Sequence, residues 1–157
     1  MKEQLFNAIR TEEADKVGAI LTENPSLVSE KDDRGSTPLL LATYYGLGAI
    51  SEIILKHPQN IDAQDASGNT ALMGVCFKGY DALAKQLIDH GADVNKTNFN
   101  GATALIFAAT FARTQMVKML MDNGADATLK DDRGNTALSH AKMQGVKPVI
   151  ELLEAEK

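Results

Sequence analysis

The chain has 157 residues, 44% of them hydrophobic, with a net charge of -5 and a single cysteine, Cys76. The length suits one domain, the acidic balance argues against a surface built to neutralise nucleic-acid phosphates, and a lone cysteine excludes an internal disulfide. No stretch approaches the roughly 20 apolar residues of a membrane span and the N-terminus lacks an apolar secretion core, so a cytoplasmic location is expected, or a secreted one where a leader has been removed.

Residues 1–31 read as an N-terminal cap repeat with two apolar faces. Leu5, Phe6, Ala8 and Ile9 make one apolar face and Val17, Ile20 and Leu21 a second, while Lys2, Glu3, Arg10, Glu12, Glu13 and Lys16 fall on the outer side. One apolar and one charged side is what the N-terminal cap of a stacked array requires.

From residue 32 a period of 33 residues governs the chain. Gly35, Gly68, Gly101 and Gly134 mark it, each followed two residues later by Thr37, Thr70, Thr103 or Thr136. Leu39, Leu72, Leu105 and Leu138 form the next column, then the slim Ala42, Val75, Ala108 and Ala141, then Gly46, Gly79, Ala112 and Gly145. Ile50, Leu83, Met116 and Val149 stand four residues before Ile54, Leu87, Leu120 and Leu153, the spacing of a helical stripe. Each period therefore predicts a short helix, a turn, a second helix and a long loop returning to the next glycine. Residues 32–64, 65–97 and 98–130 are full units. Residues 131–157 read as a C-terminal cap, with Val149, Ile150, Leu152 and Leu153 inward and Glu151, Glu154, Glu156 and Lys157 free to face water.

The local chemistry agrees with this partition. A small polar residue three positions before each first-column glycine can start a tight turn, and glycine accepts the positive φ at its tip. The threonine suits the N-cap of the first helix, and Pro38 suits the first helical position, where a missing N–H costs little. Gly91 and Gly124 can end the second helices, and Pro58 does so in the first full unit.

The segment Asp32-Asp33-Arg34-Gly35-Ser36-Thr37-Pro38-Leu39, repeated as Asp65 to Leu72, Asn98 to Leu105 and Asp131 to Leu138, resembles the signature of ankyrin repeats. His90-Gly91-Ala92-Asp93-Val94-Asn95 and Asn123-Gly124-Ala125-Asp126-Ala127 are similar to the loop after that family's second helix. The resemblance covers nearly the whole chain and implies an all-α repeat solenoid of stacked helix-turn-helix ankyrin repeats with hairpin loops, capped at both ends. It also implies a noncatalytic protein-protein interaction scaffold whose partner lies on the hairpin tips and the concave face of the first helices. One departure is plain: where the family commonly places an inter-unit histidine, this chain has Leu40, Met73, Ile106 and Ser139. That polar network is expected to be absent, so that cohesion between units rests more on apolar burial. Gly74 and Val75 interrupt the usual small-residue helix, so the second full unit is expected to be the loosest.

Little in the sequence points to catalysis. His57 and His90 share a repeat column near a helix end, where an imidazole suits the negative end of the dipole, and one unit apart they are poorly placed to share a metal. His140 falls in the column of Leu41, Gly74 and Phe107 and reads as a satisfied or solvent-facing side chain. No HExxH, CxxC, GxSxG or phosphate loop is present. The pairs Asp32-Asp33 and Asp131-Asp132 are explained by turn formation, and Cys76 reads as a packed thiol. No cofactor, metal or catalytic residue is expected.

The candidate partner-binding residues are Asp33, Arg34, Ser36, Asn69, Phe99, Asn100 and Arg133 at the tips, and Tyr44, Tyr45, Phe77, Lys78, Thr110, Phe111 and Met143 on the first helices. Five of the eight aromatics, Tyr44, Tyr45, Phe77, Phe99 and Phe111, fall where the fold exposes them, which core packing alone does not require. Stacking aligns the four helix aromatics into a stripe that Phe107 can extend. Exposed aromatics suit interface anchors, with Arg34, Lys78 and Arg133 setting register. The sequence thus predicts a monomer that binds another protein through this face, and neither nucleic acid nor membrane. Self-association through the same stripe is the alternative. An enzyme would require a pocket of converging polar groups that no motif announces.

Overall fold

A computed structural model describes residues 1–155, which form ten α-helices, one short 3-10 helix and no strand. The helices are α1 (Lys2–Arg10), α2 (Ala14–Glu23), α3 (Pro38–Tyr44), α4 (Gly48–Leu55), α5 (Ala71–Lys78), α6 (Asp81–Asp89), α7 (Ala104–Thr110), α8 (Thr114–Asp122), α9 (Ala137–Gln144) and α10 (Lys147–Ala155), with the 3-10 turn Pro25–Ser29 after α2. Glu156 and Lys157, assigned from sequence to the outer side of the last helix, lie outside the described residues.

Each odd-numbered helix packs on the even-numbered helix that follows it. Odd helices also stack on odd ones from α1 to α9, and even on even from α2 to α10. The result is a two-layer helical solenoid. Its core is one continuous apolar cluster running along the stack. The two stripes from Ile50 to Val149 and from Ile54 to Leu153 are all buried, as are Leu39, Leu72 and Leu105. Leu138, in the last of these units, is only half-buried.

The tips form as the repeated residues dictate. In each, the polar residue's amide bonds the carbonyl four residues on, and its carbonyl accepts from the glycine N–H, as in Asp65 to Asn69 at 2.9 Å and Gly68 to Asp65 at 2.9 Å. Its Oδ1 accepts two further backbone N–H groups, from Ser67 and Asn69 at 2.9 Å each in that unit. All four threonines cap their helices: Thr37, Thr70, Thr103 and Thr136 accept from the backbone N–H three residues on at 3.1 to 3.3 Å. Such a cap is worth about 1 kcal/mol.

The second glycine column has two reasons for its composition. Gly46, Gly79 and Gly145 have positive φ, and Ala112 takes the same conformation at φ 60. A Cβ on Gly46 would lie 3.2 Å from the Tyr80 ring, and one on Gly79 would lie 3.0 Å from the Arg113 guanidinium. Tyr80 and Arg113 occupy the same column, directly before a second helix, and each packs onto the turn of the preceding unit. Val146 stands in that column after Ala112 and is too short to exclude a methyl group in the same way.

The expected apolar column is in place: Leu40, Met73 and Ile106 are buried. Beside it, a second polar system joins the units through their loops. Gln64 Nε2 donates to Thr97 O at 3.0 Å, and Asn98 Nδ2 to Asn69 Oδ1 at 2.9 Å. Asn95 donates through Nδ2 to Gly124 O at 3.1 Å and accepts the Asp126 N–H through Oδ1 at 2.7 Å. Apolar burial therefore holds the helices together, and amide side chains tie the loops.

Candidate partner-binding face

The first helix of each unit ends where its side chains leave the core, because a positive-φ residue one or two positions on turns the chain. Tyr44 and Tyr45 are 47% and 51% exposed at the end of α3, Phe77 is 39% exposed at the end of α5 and Phe111 42% just after α7. The four form two groups. Tyr44 and Tyr45 meet edge-on with centroids 5.6 Å apart, and Phe77 and Phe111 do so across units at 4.8 Å. Lys78 Nζ lies 4.5 Å from the Tyr44 centroid, within cation–π range. Both cross-unit contacts are diagonal, from the last helical residue or its neighbour in one unit to the following column in the next. Phe107 is half-buried and packs against the core.

Phe99 stands apart from these. It is 66% exposed, but its N–H donates to Ser67 O at 3.2 Å and its ring lies against Gly68, where a Cβ would come within 2.6 Å of it. It lines a depression shared with Val28, Lys31, Gln59 and Gln64, away from the helix aromatics.

At the tips, Asp33, Arg34, Asn100 and Arg133 are exposed, and Ser36 and Asn69 are half-buried. Asn69 is engaged by Asn98, and the Asn100 carbonyl accepts the Asp132 N–H at 3.0 Å. On the helices Lys78 is half-buried, Met143 is exposed, and the Thr110 hydroxyl turns back to donate to Ile106 O at 2.7 Å. The Arg113 guanidinium donates to Phe77 O through Nε at 3.3 Å and Nη2 at 2.9 Å, closing the end of α5.

A depression of about 370 Å³ opens between the first two full units. Tyr44, Tyr45, Arg34 and Asp65 line it, and Gly74 leaves space where the other units place Leu41, Phe107 and His140. Charges around it are partly paired: Arg10 Nη2 lies 3.2 Å from Asp32 Oδ2. The corresponding carboxylate of the last unit, Asp131 Oδ2, lies 2.7 Å from His140 Nε2. Burial pushes the Asp131 carboxyl up, but hydrogen bonds from His140 and the Asn135 and Arg133 backbone outweigh it and hold the group below the usual carboxylate range. His140 is thus the satisfied histidine that its repeat column suggests.

Cys76 is fully buried, and burial, reinforced by the Asp81 charge, pushes its thiol far above the usual range, which disfavours the reactive thiolate. Among the described residues no three His, Cys, Asp or Glu side chains gather in a metal-binding group, and no helix is long and apolar enough to cross a membrane. Sequence reasoning missed Arg10 as a face residue and the open space that Gly74 leaves in the depression lined by Asp65. Reading the Asp column together with the helix column nine residues later would have paired Asp131 with His140 and left Asp65 facing a glycine.

A family model described as ankyrin repeats, in three copies, matches residues 5–98, 39–131 and 72–157. A comparison with curated proteins finds none that matches.

Proposed function

We propose that this chain, which belongs to the ankyrin-repeat family, is a noncatalytic scaffold that binds another protein through its hairpin tips and the exposed ends of its first helices. Ankyrin repeats are generally protein-protein interaction modules. The observation that carries the reading to particular residues is the row of exposed aromatics, Tyr44, Tyr45, Phe77 and Phe111, on one side of the solenoid. An aromatic at the surface loses apolar contact with water only when something covers it, and it orders few torsions when covered. Arg34, Lys78 and Arg133 supply the surrounding charge. Asp33, Ser36, Asn69, Asn100, Thr110 and Met143 complete the face, and Phe99 forms a separate outpost at its tip.

The experiment compares proteins captured by the wild type and by the Tyr45→Ala/Phe111→Ala variant from the same extract. Specific partners are expected to vanish from the second sample while circular dichroism stays unchanged. Undiminished capture of every partner would reject this face. Equilibrium sedimentation separates the competing use of the same aromatics: a monomer at high concentration counts against self-association.

A further inference from the structure

The four tips carry the same structural carboxylate or amide, at Asp32, Asp65, Asn98 and Asp131, each bonded through Oδ1 to two backbone N–H groups of its own turn. Those shared bonds hold the four side chains in a common orientation, so their second polar atom points the same way. In three units that atom has a partner. Asp32 Oδ2 takes the Arg10 guanidinium at 3.2 Å, Asn98 Nδ2 donates to Asn69 Oδ1 at 2.9 Å, and Asp131 Oδ2 takes the His140 imidazole at 2.7 Å. Asp65 Oδ2 has no hydrogen-bond partner among the described residues, and the residue that stands where His140 does is Gly74.

We propose that the cleft over Gly74 is a slot for a guanidinium side chain of a bound protein, held by the Asp65 carboxylate and flanked by Tyr44 and Tyr45. The proposal rests on the protein-binding reading and specifies what one part of that face recognises. Room and partner coincide there: the depression of about 370 Å³ is lined by all four residues, and a Cβ on Gly74 would meet nothing within 4 Å. The molecule already fills the equivalent position twice with planar nitrogen donors, one of them a guanidinium. Tyr44 already accepts a cation, Lys78 Nζ at 4.5 Å. A guanidinium supplies what the slot lacks, a flat fork of N–H donors that can both meet a carboxylate and lie along an aromatic ring. Of the cations nearby, Arg10 is neutralised by Asp32, Lys78 lies over Tyr44 and does not line the depression, and Arg34 lines it but is exposed, so that water weakens its repulsion.

The test titrates the isotope-labelled full chain with N-acetyl-arginine methylamide, following backbone amides by NMR, with the matching blocked citrulline as an uncharged isostere. The arginine probe is expected to shift Tyr44, Asn69 and Gly74 saturably, and citrulline to leave them in place. Gly74→His rebuilds the internal pair of the last unit and should abolish the shifts; since the site has room for a side chain, the variant folds. Asp65→Asn keeps the turn's acceptor and should weaken the probe about tenfold, whereas Arg34→Ser removes a like charge and should strengthen it about threefold. The inference is overturned by unsaturable shifts in the wild type, by unchanged binding in Gly74→His, or by weaker binding in Arg34→Ser, which would mean that the probe is not held through its positive charge. None of these results depends on the partner-capture experiment, so the slot and the wider face can fail separately.

Discussion

The second and fourth tips use nearly the same turn but end in different states. Asp65-Ala66-Ser67-Gly68-Asn69 and Asp131-Asp132-Arg133-Gly134-Asn135 make the same backbone hydrogen bonds within about a tenth of an ångström of each other. In the fourth, His140 reaches up from α9 and completes the carboxylate; in the second, Gly74 on α5 leaves it open. A repeat scaffold can thus keep its folding signals constant and change what its face offers by substituting one helix residue, because the turn's own bonds do not depend on that residue.

The largest effect that separates these units is expected in the core beneath them. Leu72→Ala in the fully sandwiched second unit should cost about 3 kcal/mol in urea denaturation, and Leu138→Ala, half-buried at the end of the stack, about half as much. Equal losses would show that the last unit is packed as tightly as an internal one. Next comes His140→Gly, which should make the fourth unit resemble the second and cost about 2 kcal/mol by removing both a helix-forming residue and a hydrogen bond. Faster hydrogen exchange confined to α9 is the accompanying readout.

Asp131→Asn should cost about 1 kcal/mol at neutral pH, against less than about 0.5 for Asp65→Asn, which has no second partner to lose. The pH dependence has a definite sign. Asp131 is held below its usual range in the folded chain, so its stabilisation is present above the unfolded value of about 3.9 and is lost as pH falls through the lower folded value. The difference between wild type and Asp131→Asn should accordingly shrink in acid below about pH 4; a difference that grew there would contradict the assigned hydrogen bonds. The smallest effect is a gain: Gly74→Ala should stabilise the chain by about 0.8 kcal/mol, since an interior helical glycine is replaced where space is open. A loss would mean that the cleft is narrower than its geometry indicates.

The repeat columns make most of the fold legible in the sequence. Thr37, Thr70, Thr103 and Thr136 were readable as caps, and the stripes beginning at Ile50 and Ile54 as core, because capping and helical periodicity act over three or four residues. The candidate face was legible to the level of exposed positions: Tyr44, Tyr45, Phe77, Phe99 and Phe111 all stand out of the core. Their grouping was not. Phe77 meets Phe111 diagonally and Lys78 covers Tyr44, whereas Phe99 lies over Gly68 at a separate depression. Those relations depend on the offset between stacked units, which column alignment does not contain. The loop ladder through Gln64, Asn95 and Asn98 is hidden for the same reason.

The sequence by itself determined the unit length, the helix starts, the turn carboxylates and the buried stripes, since each is set by interactions among residues a few positions apart and repeated from unit to unit. Only the tertiary structure decided which second oxygen found a donor. Arg10 reaches Asp32 from 22 residues away across the first stacking interface, His140 reaches Asp131 within its unit, and Asp65 is left facing the gap above Gly74. Whether a polar atom is satisfied depends on the distance and direction of a donor in space, and stacking fixes both.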